Sequence, residues 1–231
     1  MLFRKRKHGR LRQSSSLKSL TARGVEIATV IDVGVQRETP SLIECFPTAG
    51  HLLFEPVKEF HGDIAANYRN IRHAIFDCAV SNRDGEGRLK SLQISGAGVT
   101  HAHVGEEGEA VRLARLDTVL PVAGFAPPYL LKIDVDSMDA TLNALAGTEG
   151  IMNDVACIVC EMVAVHFVSL AQRIEAAGFR LWDIVECCYY DDVLYQSDAV
   201  FVRSSLIRSN PRLKPFNFDK YDPQKWRMIG G

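Results

Sequence analysis

The sequence predicts an α/β protein built on a doubly wound, mostly parallel sheet. Two observations carry that expectation. Short apolar runs rich in β-branched residues or leucine recur along the chain, as in Val30–Val33, Leu52–Phe54, Tyr129–Val135 and Val155–Val163, the composition of strands buried on both faces. Helix-like segments separate them, and several runs end in an acid (Asp32, Glu55, Asp134, Glu161), at the strand ends where open α/β sheets bind ligands.

In chain order, Lys18–Gly24 reads as a short helix closed by Gly24. The first strand ends at Asp32 and Gly34, and Thr39-Pro40 is an N-cap followed by a first-turn proline. Pro47 stops that helix after Phe46. Leu52–Phe54 is the second strand, ending in Glu55, 23 positions after Asp32. Phe60, Ile64 and Tyr68 then fall on one helical face. Ala74–Val80 is a third strand, Arg88–Ile94 an edge strand, and Ser95–Gly108 a loop bearing His101 and His103. A strand from Val111 leads into a helix at Asp117. Tyr129–Val135 and Val155–Val163 are the fourth and fifth strands, with helices expected over Met138–Leu145 and Val168–Ala177. Phe179–Val185 and Asp198–Arg203 complete the sheet as a final pair.

The 231 residues suit one domain, and 47% hydrophobic with 24% charged residues is ordinary for a globular protein. Charge is uneven. Eight bases and no acid precede Glu26, leaving 19 of the 27 bases against all 28 acids in the remainder. The expected organisation is a basic arm over residues 1–19, a domain over 20–209, and an irregular tail over 210–231 that packs on it. No apolar signal core follows the basic start, and the most apolar stretch, Val155–Ala171, is broken by Glu161 and His166. Six cysteines in a chain of this length suggest no disulfide framework, so a reduced, cytoplasmic protein without a transmembrane segment is expected.

Strand, glycine turn, helix, then a strand ending in an acid is how α/β folds hold an adenosine ribose. A dinucleotide site adds two further glycines so that pyrophosphate can approach the backbone. Here only Gly34 is present, and there is no GK[ST] phosphate loop. S-adenosylmethionine (SAM) carries no phosphate and needs one close approach, so SAM is the expected cofactor.

The run ARGVEIATVIDVGV, LLFEPVKEF, DCAVSNRDGEG, RLDTVL and LKIDVDSMDATLNALAG resembles the FkbM family of SAM-dependent O-methyltransferases, in order and over roughly residues 20–178. The resemblance implies a class I methyltransferase fold, a seven-stranded sheet with its last strand antiparallel. It also implies methyl transfer to a hydroxyl of a sugar, glycan or secondary metabolite. Val35, Gln36 and Glu38 depart from the family's DVGANxG, and Ser137 from its KIDVEGxE. Those departures carry a second reading, a non-catalytic SAM- or ligand-binding member of the same fold.

The expected cofactor contacts are Asp32 at the methionine amino group, Gly34 and Glu38 along the turn, Glu55 with Pro56 at the ribose, and Cys78 and Ala79 near the adenine. Asp134, at the fourth strand's end, is the expected base or acceptor-orienting group, with Lys132 holding it charged. Glu161 and His166 are expected to line the acceptor pocket, where a histidine suits proton removal. Asp134, Asp136 and Asp139 form a candidate Mg²⁺ set, against the simpler account that the acids cap a helix. The expected partner is a small-molecule or glycan hydroxyl acceptor, with no nucleic acid, because the body is acidic and aromatics make up 8% of the chain. A homodimer is left open.

Overall fold

The computed structural model describes residues 12–94, 99–105, 107–214 and 222–225. Helix α1 (Gln13–Ala22) precedes β1 (Thr29–Val33), α2 (Pro40–Cys45) and β2 (Gly50–Phe54). A 3₁₀ turn and α3 (His61–Asn67) lead to β3 (His73–Phe76) and the short β4 (Ala79–Val80). Next come β5 (Gly85–Ile94), β6 (Val99–Gly105), β7 (Glu109–Ala114) and α4 (Leu116–Ala123). Then follow β8 (Tyr129–Ile133), α5 (Met138–Ala146), β9 (Val155–Val163) and α6 (Phe167–Ala176). The hairpin β10 (Phe179–Tyr190) and β11 (Val193–Arg203) is followed by α7 (Ser204–Ser209).

Seven strands form one sheet in the order β10-β11-β9-β8-β1-β2-β3. All pairs are parallel except those that β11 makes, antiparallel to β9 on one side and to β10 on the other. The expected α/β class and its reversed last strand are both present. Every residue of β1, β2 and β8 is buried, which is why these strands read as continuous apolar runs.

The pleat sends alternate residues to opposite faces. Ile31, Val33, Leu52, Phe54, Leu131, Ile133, Ile158 and Cys160 pack on one face with α4, α5 and α6. Val30, Leu130, Cys157, Val159 and Val200 pack on the other with Leu17, Leu20 and Leu42 of α1 and α2. Phe60, Ile64 and Tyr68 share a helical face as expected, and Val35 joins them in a third cluster. Six cysteines are free, and among the described residues no helix is long and apolar enough to cross a membrane.

Three expectations about the middle of the chain are corrected. The strand expected over Ala74–Val80 breaks at Asp77, where the Cys78 amide donates back to the Phe76 carbonyl. Ala79–Val80 therefore leaves the main sheet and pairs with β7. The weakly alternating Arg88–Ile94 stretch belongs to a second sheet, ordered β4-β7-β5-β6, in which Arg88 and Leu89 pair on both sides and the rest pairs with β6 alone. The expected loop carrying His101 and His103 contains β6, antiparallel to β5. Its period-2 pattern is masked by glycine, histidine and threonine, whose pairing is set by the neighbouring strand.

The ends of the chain differ as well. The first helix begins at Gln13, five residues before the expected Lys18, because Gln13, Ser16, Leu17 and Leu20 are buried against the sheet. It is held at its far end by Arg212, which donates to the Ala22 carbonyl, and by Arg23, which lies over the Trp182 ring. Residues 1–11, most of the expected basic arm, lie outside the described residues.

Gly34 has φ +82°, and a Cβ there would stand 1.9 Å from the Asp134 carbonyl oxygen. Its need for glycine therefore comes from the close approach of the β1 and β8 ends, before any ligand is considered. Gly34→Ala should cost roughly 3 kcal/mol or more, read as a lower urea midpoint with an unchanged slope. A Gly34→Ala protein as stable as the parent would contradict this account.

Candidate active site

The C-terminal ends of β1, β2, β8 and β9 open into a cavity of about 1090 Å³. Its walls are the turn after β1 (Gly34–Glu38 side), Glu55-Pro56 after β2, the Asp134–Met138 loop, and Glu161 through His166 after β9. Gln13, Glu186, Gln196 and Asp198 close the remaining side.

Glu55 is buried, and its two oxygens accept from the Gln36 amide at 2.7 Å and the Val57 amide at 2.9 Å. Burial holds its carboxyl above the usual range, against the pull of those two amides. A carboxylate offers about four acceptor sites, so two hydroxyls of a ribose can still be received on the cavity side. Glu55 thus does two things: it sets the shape of the turn after β1, where Gln36 has φ +55°, and it presents an acid to the cavity. Pro56 lines the cavity beside it. This donor-accepting edge, next to a phosphate-free turn, fits the adenosine half of SAM.

Asp32 is placed differently from the expectation. It is fully buried, does not line the cavity, and neither carboxylate oxygen has a hydrogen-bond partner. It faces Lys132 Nζ at 3.4 Å. Parallel pairing puts the two residues side by side on adjacent strands, so Asp32 is the buried counter-charge of Lys132. Lys132 Nζ also donates to Asp134 Oδ2 at 2.8 Å. Burial alone would depress the ammonium, yet Asp134 and Asp32 hold it above its ordinary value.

One level higher on the same face, three carboxyls meet. Asp198 and Glu161 are directly opposite partners in the β9–β11 pairing, an arrangement that like charges disfavour. Asp134 stands near enough for a side-chain hydrogen bond with Glu161. Burial, then the charges of Asp134 and Asp198, push Glu161 up to about 8 against the pull of Lys132. Burial likewise pushes Asp198 up to about 6, with Lys132 opposing and Asp134 adding repulsion. At neutral pH Glu161 therefore carries a proton, which it can donate to Asp134. Gln196 Nε2 donates to Glu161 at 2.5 Å, and Gln13 Nε2 to Asp198 at 2.7 Å.

The remaining expected residues divide. His166 lines the cavity from an exposed 3₁₀ turn before α6, and Glu38 lies exposed at the cavity wall. Cys78 is buried in the first core cluster and Ala79 in the second sheet, and neither lines the cavity. The turn at Asp77 removes both from the third strand's end. Asp136 and Asp139 are exposed, and the cap of α5 is Ser137, whose Oγ accepts from the Ala140 amide at 3.1 Å. Among the described residues no group of three or more His, Cys, Asp or Glu is arranged to hold a metal ion, so the Mg²⁺ expectation finds no support.

Asp198, Glu186 and Gln13 were not legible as site residues. In the sequence Asp198 reads as the first residue of an ordinary apolar strand; it lies in the middle of β11, and only the antiparallel register sets it against Glu161.

No protein-family model matches the sequence, and no curated protein matches it. Among solved structures, the chain is similar to a TehB-like SAM-dependent methyltransferase from Corynebacterium glutamicum (14% identity, 81% of this chain and 86% of that one, TM-score 0.42). It is similar also to magnesium protoporphyrin IX methyltransferase from Synechocystis with bound SAM (10%, 83% and 77%, TM-score 0.46). A third is the N-methyltransferase NodS from Bradyrhizobium japonicum (11%, 83% and 94%, TM-score 0.43). At these scores the overlaps add nothing to the strand order itself, and the FkbM resemblance rests on its motifs alone.

The coupled acids make stability pH-dependent. Glu161 and Asp198 are raised in the folded state above their ordinary values of 4.5 and 3.8. Between roughly pH 4 and 8 the folded chain thus binds more protons than the unfolded one, and stability falls as pH rises through that window. The melting temperature should drop by about 5 °C or more between pH 5 and 8.5, and Glu161→Gln should flatten the slope. A flat parent profile would refute the coupling.

Proposed function

We propose that this chain is a SAM-dependent methyltransferase that methylates a hydroxyl of a small-molecule or glycan acceptor. The observation that carries the reading is one cavity with an adenosine-type edge, Gly34 to Glu55, on one side and a cluster of carboxyls, Asp134, Glu161 and Asp198, on the other. Its volume of about 1090 Å³ lies just above the range of single-ligand pockets, which suits a cofactor together with a small acceptor.

SAM, when bound, supplies an activated methyl group. The chain's own part is to hold the acceptor oxygen in line and to take its proton. Glu55 receives the ribose hydroxyls. Asp134, tied to Lys132, orients the acceptor hydroxyl. Glu161, with its carboxyl near 8, is matched to accept a proton in mildly alkaline solution. His166 lines the same cavity at its exposed rim.

The departures behind the non-catalytic reading have structural accounts. Ser137 replaces a glycine because it caps α5. Val35 points into the third core cluster, and Glu38 is exposed. All three stand in the cavity wall.

Calorimetric titration with SAM and S-adenosylhomocysteine should show binding of both, and no heat with either at millimolar concentration would overturn the proposal. Glu55→Gln should weaken binding by about tenfold or more, the loss of one charge-assisted hydrogen bond. Glu161→Gln should leave cofactor affinity unchanged and lower the rate of hydroxyl methylation by about 10²–10⁴-fold. An undiminished rate would remove Glu161 from the chemistry.

A further inference from the structure

Gln13 is a buried polar residue on the first turn of a helix that the fold does not otherwise need for the cofactor edge. It makes three hydrogen bonds to three different elements. Its Nε2 donates to Asp198 Oδ2 on β11 at 2.7 Å, its Oε1 accepts from Ser41 Oγ on α2, and its backbone amide donates to Glu186 Oε1 on β10 at 2.9 Å. Glu186 is aimed there by a bulge in β10, between Val185 and Cys188, where Glu186 itself has φ +50°. The side chain cannot rotate freely between these partners. Ser41 fixes the amide oxygen and thereby the donor end that meets Asp198.

We propose that Gln13 is a positioning residue of the reaction: by donating to Asp198 it keeps that carboxyl ionised and so places the shared proton of the opposed pair on Glu161. The inference rests on the reading of Glu161 as the group that, once ionised in mildly alkaline solution, accepts the hydroxyl proton. Like charges directly opposite on antiparallel strands cannot both ionise without cost. Each acid has one side-chain amide donor, Gln13 on Asp198 and Gln196 on Glu161, so removing Gln13 unbalances two carboxyls that titrate as a coupled pair. Burial raises both acids; on Asp198 Lys132 gives the main opposing pull and Gln13 adds to it, whereas on Glu161 the charges of Asp134 and Asp198 add to burial.

Other charged and polar groups face the pair. Lys132 and Asp134 approach from β8, with Asp32 behind Lys132 on β1. Gln196 donates to Glu161 from β11, Glu186 adds repulsion from β10, and Arg12 and His166 line the same cavity. Of these groups, Gln13 is the one that donates to Asp198. It is held in place by a helix whose Leu17 and Leu20 are buried in the second core cluster.

The test is a ¹³C-carboxyl NMR titration of the full chain, with Glu161→Gln and Asp198→Asn to assign the two steps. Gln13→Met keeps the volume and removes the donor, so the Asp198 step should rise and the Glu161 step fall, each by about one pH unit. Gln13→Lys places a cation at the same site, so the Asp198 step should fall. Opposite movements of Asp198 in the two variants are the expected result. Movement in the same direction in both, or in neither, would mean that Gln13 only packs, and would overturn the proposal. If Gln13→Met does not fold, Ser41→Ala, which frees the Gln13 amide oxygen and so loosens its donor end, should also raise the Asp198 step, and an unmoved step would overturn the proposal. The pH-rate profile of methylation then separates the two readings. An acid limb that follows the Glu161 step across the variants supports both. Carboxyl steps that move as expected in a protein with no methylation of any hydroxyl would leave the proton placement standing and remove the methyltransferase reading.

Discussion

Lys132 is buried on a strand between two other buried strands, where an unpaired ammonium would be strongly disfavoured. Asp32 on the neighbouring strand faces it from below the cavity and Asp134 from the cavity side. The position of Asp134 depends on this pair of contacts. Removing either acid would leave the cation undercompensated, and removing Lys132 would leave Asp32, which has no hydrogen-bond partner, as a buried lone charge. The ion triad thus ties the ends of β1 and β8 together at the level where the cavity begins. Gly34, whose missing side chain lets the Asp134 carbonyl approach, belongs to the same constraint.

Above the triad, the reversed direction of β11 has a chemical consequence. In a wholly parallel sheet the C-terminal ends alone supply the site. Here β11 runs back beside β9, and Asp198, near its middle, comes level with Glu161 near the end of β9. Two acids are forced into opposition at the cavity floor, and the elevated carboxyl of Glu161 follows from that register and from burial. Helix α1 joins the arrangement from the chain's beginning through Gln13, and α2 through Ser41. Residues 185 positions apart, Gln13 and Asp198, thereby meet beside the cavity.

Glu55 illustrates how one residue can serve fold and site together. Its oxygens hold the Gln36 and Val57 amides, so the turn after β1 and the segment after β2 are shaped by the same carboxylate that faces the cavity. The third strand shows the opposite case. A single turn at Asp77 sends the chain into a second sheet and takes Cys78 and Ala79 away from the cavity, although both are as apolar as the residues before them.

The alternation of buried strands and helices, the glycine at the first turn and the acids at the ends of β1, β2, β8 and β9 were all legible in the sequence. Each is a local property, since period, propensity and strand-end chemistry involve neighbours in the chain. What the sequence could not determine was which acid faces which. Asp32 reads like a ligand contact and is a buried counter-ion; Asp198 reads like any strand residue and opposes Glu161. Strand order and register decide those pairings, and they are set by packing between segments far apart in the chain. The second sheet was illegible for the same reason, because β6 has little pattern of its own and is a strand through its partner β5. The glycine turn and Glu55 could be located from sequence, while the proton-holding side of the cavity exists only once β11 has turned back along β9.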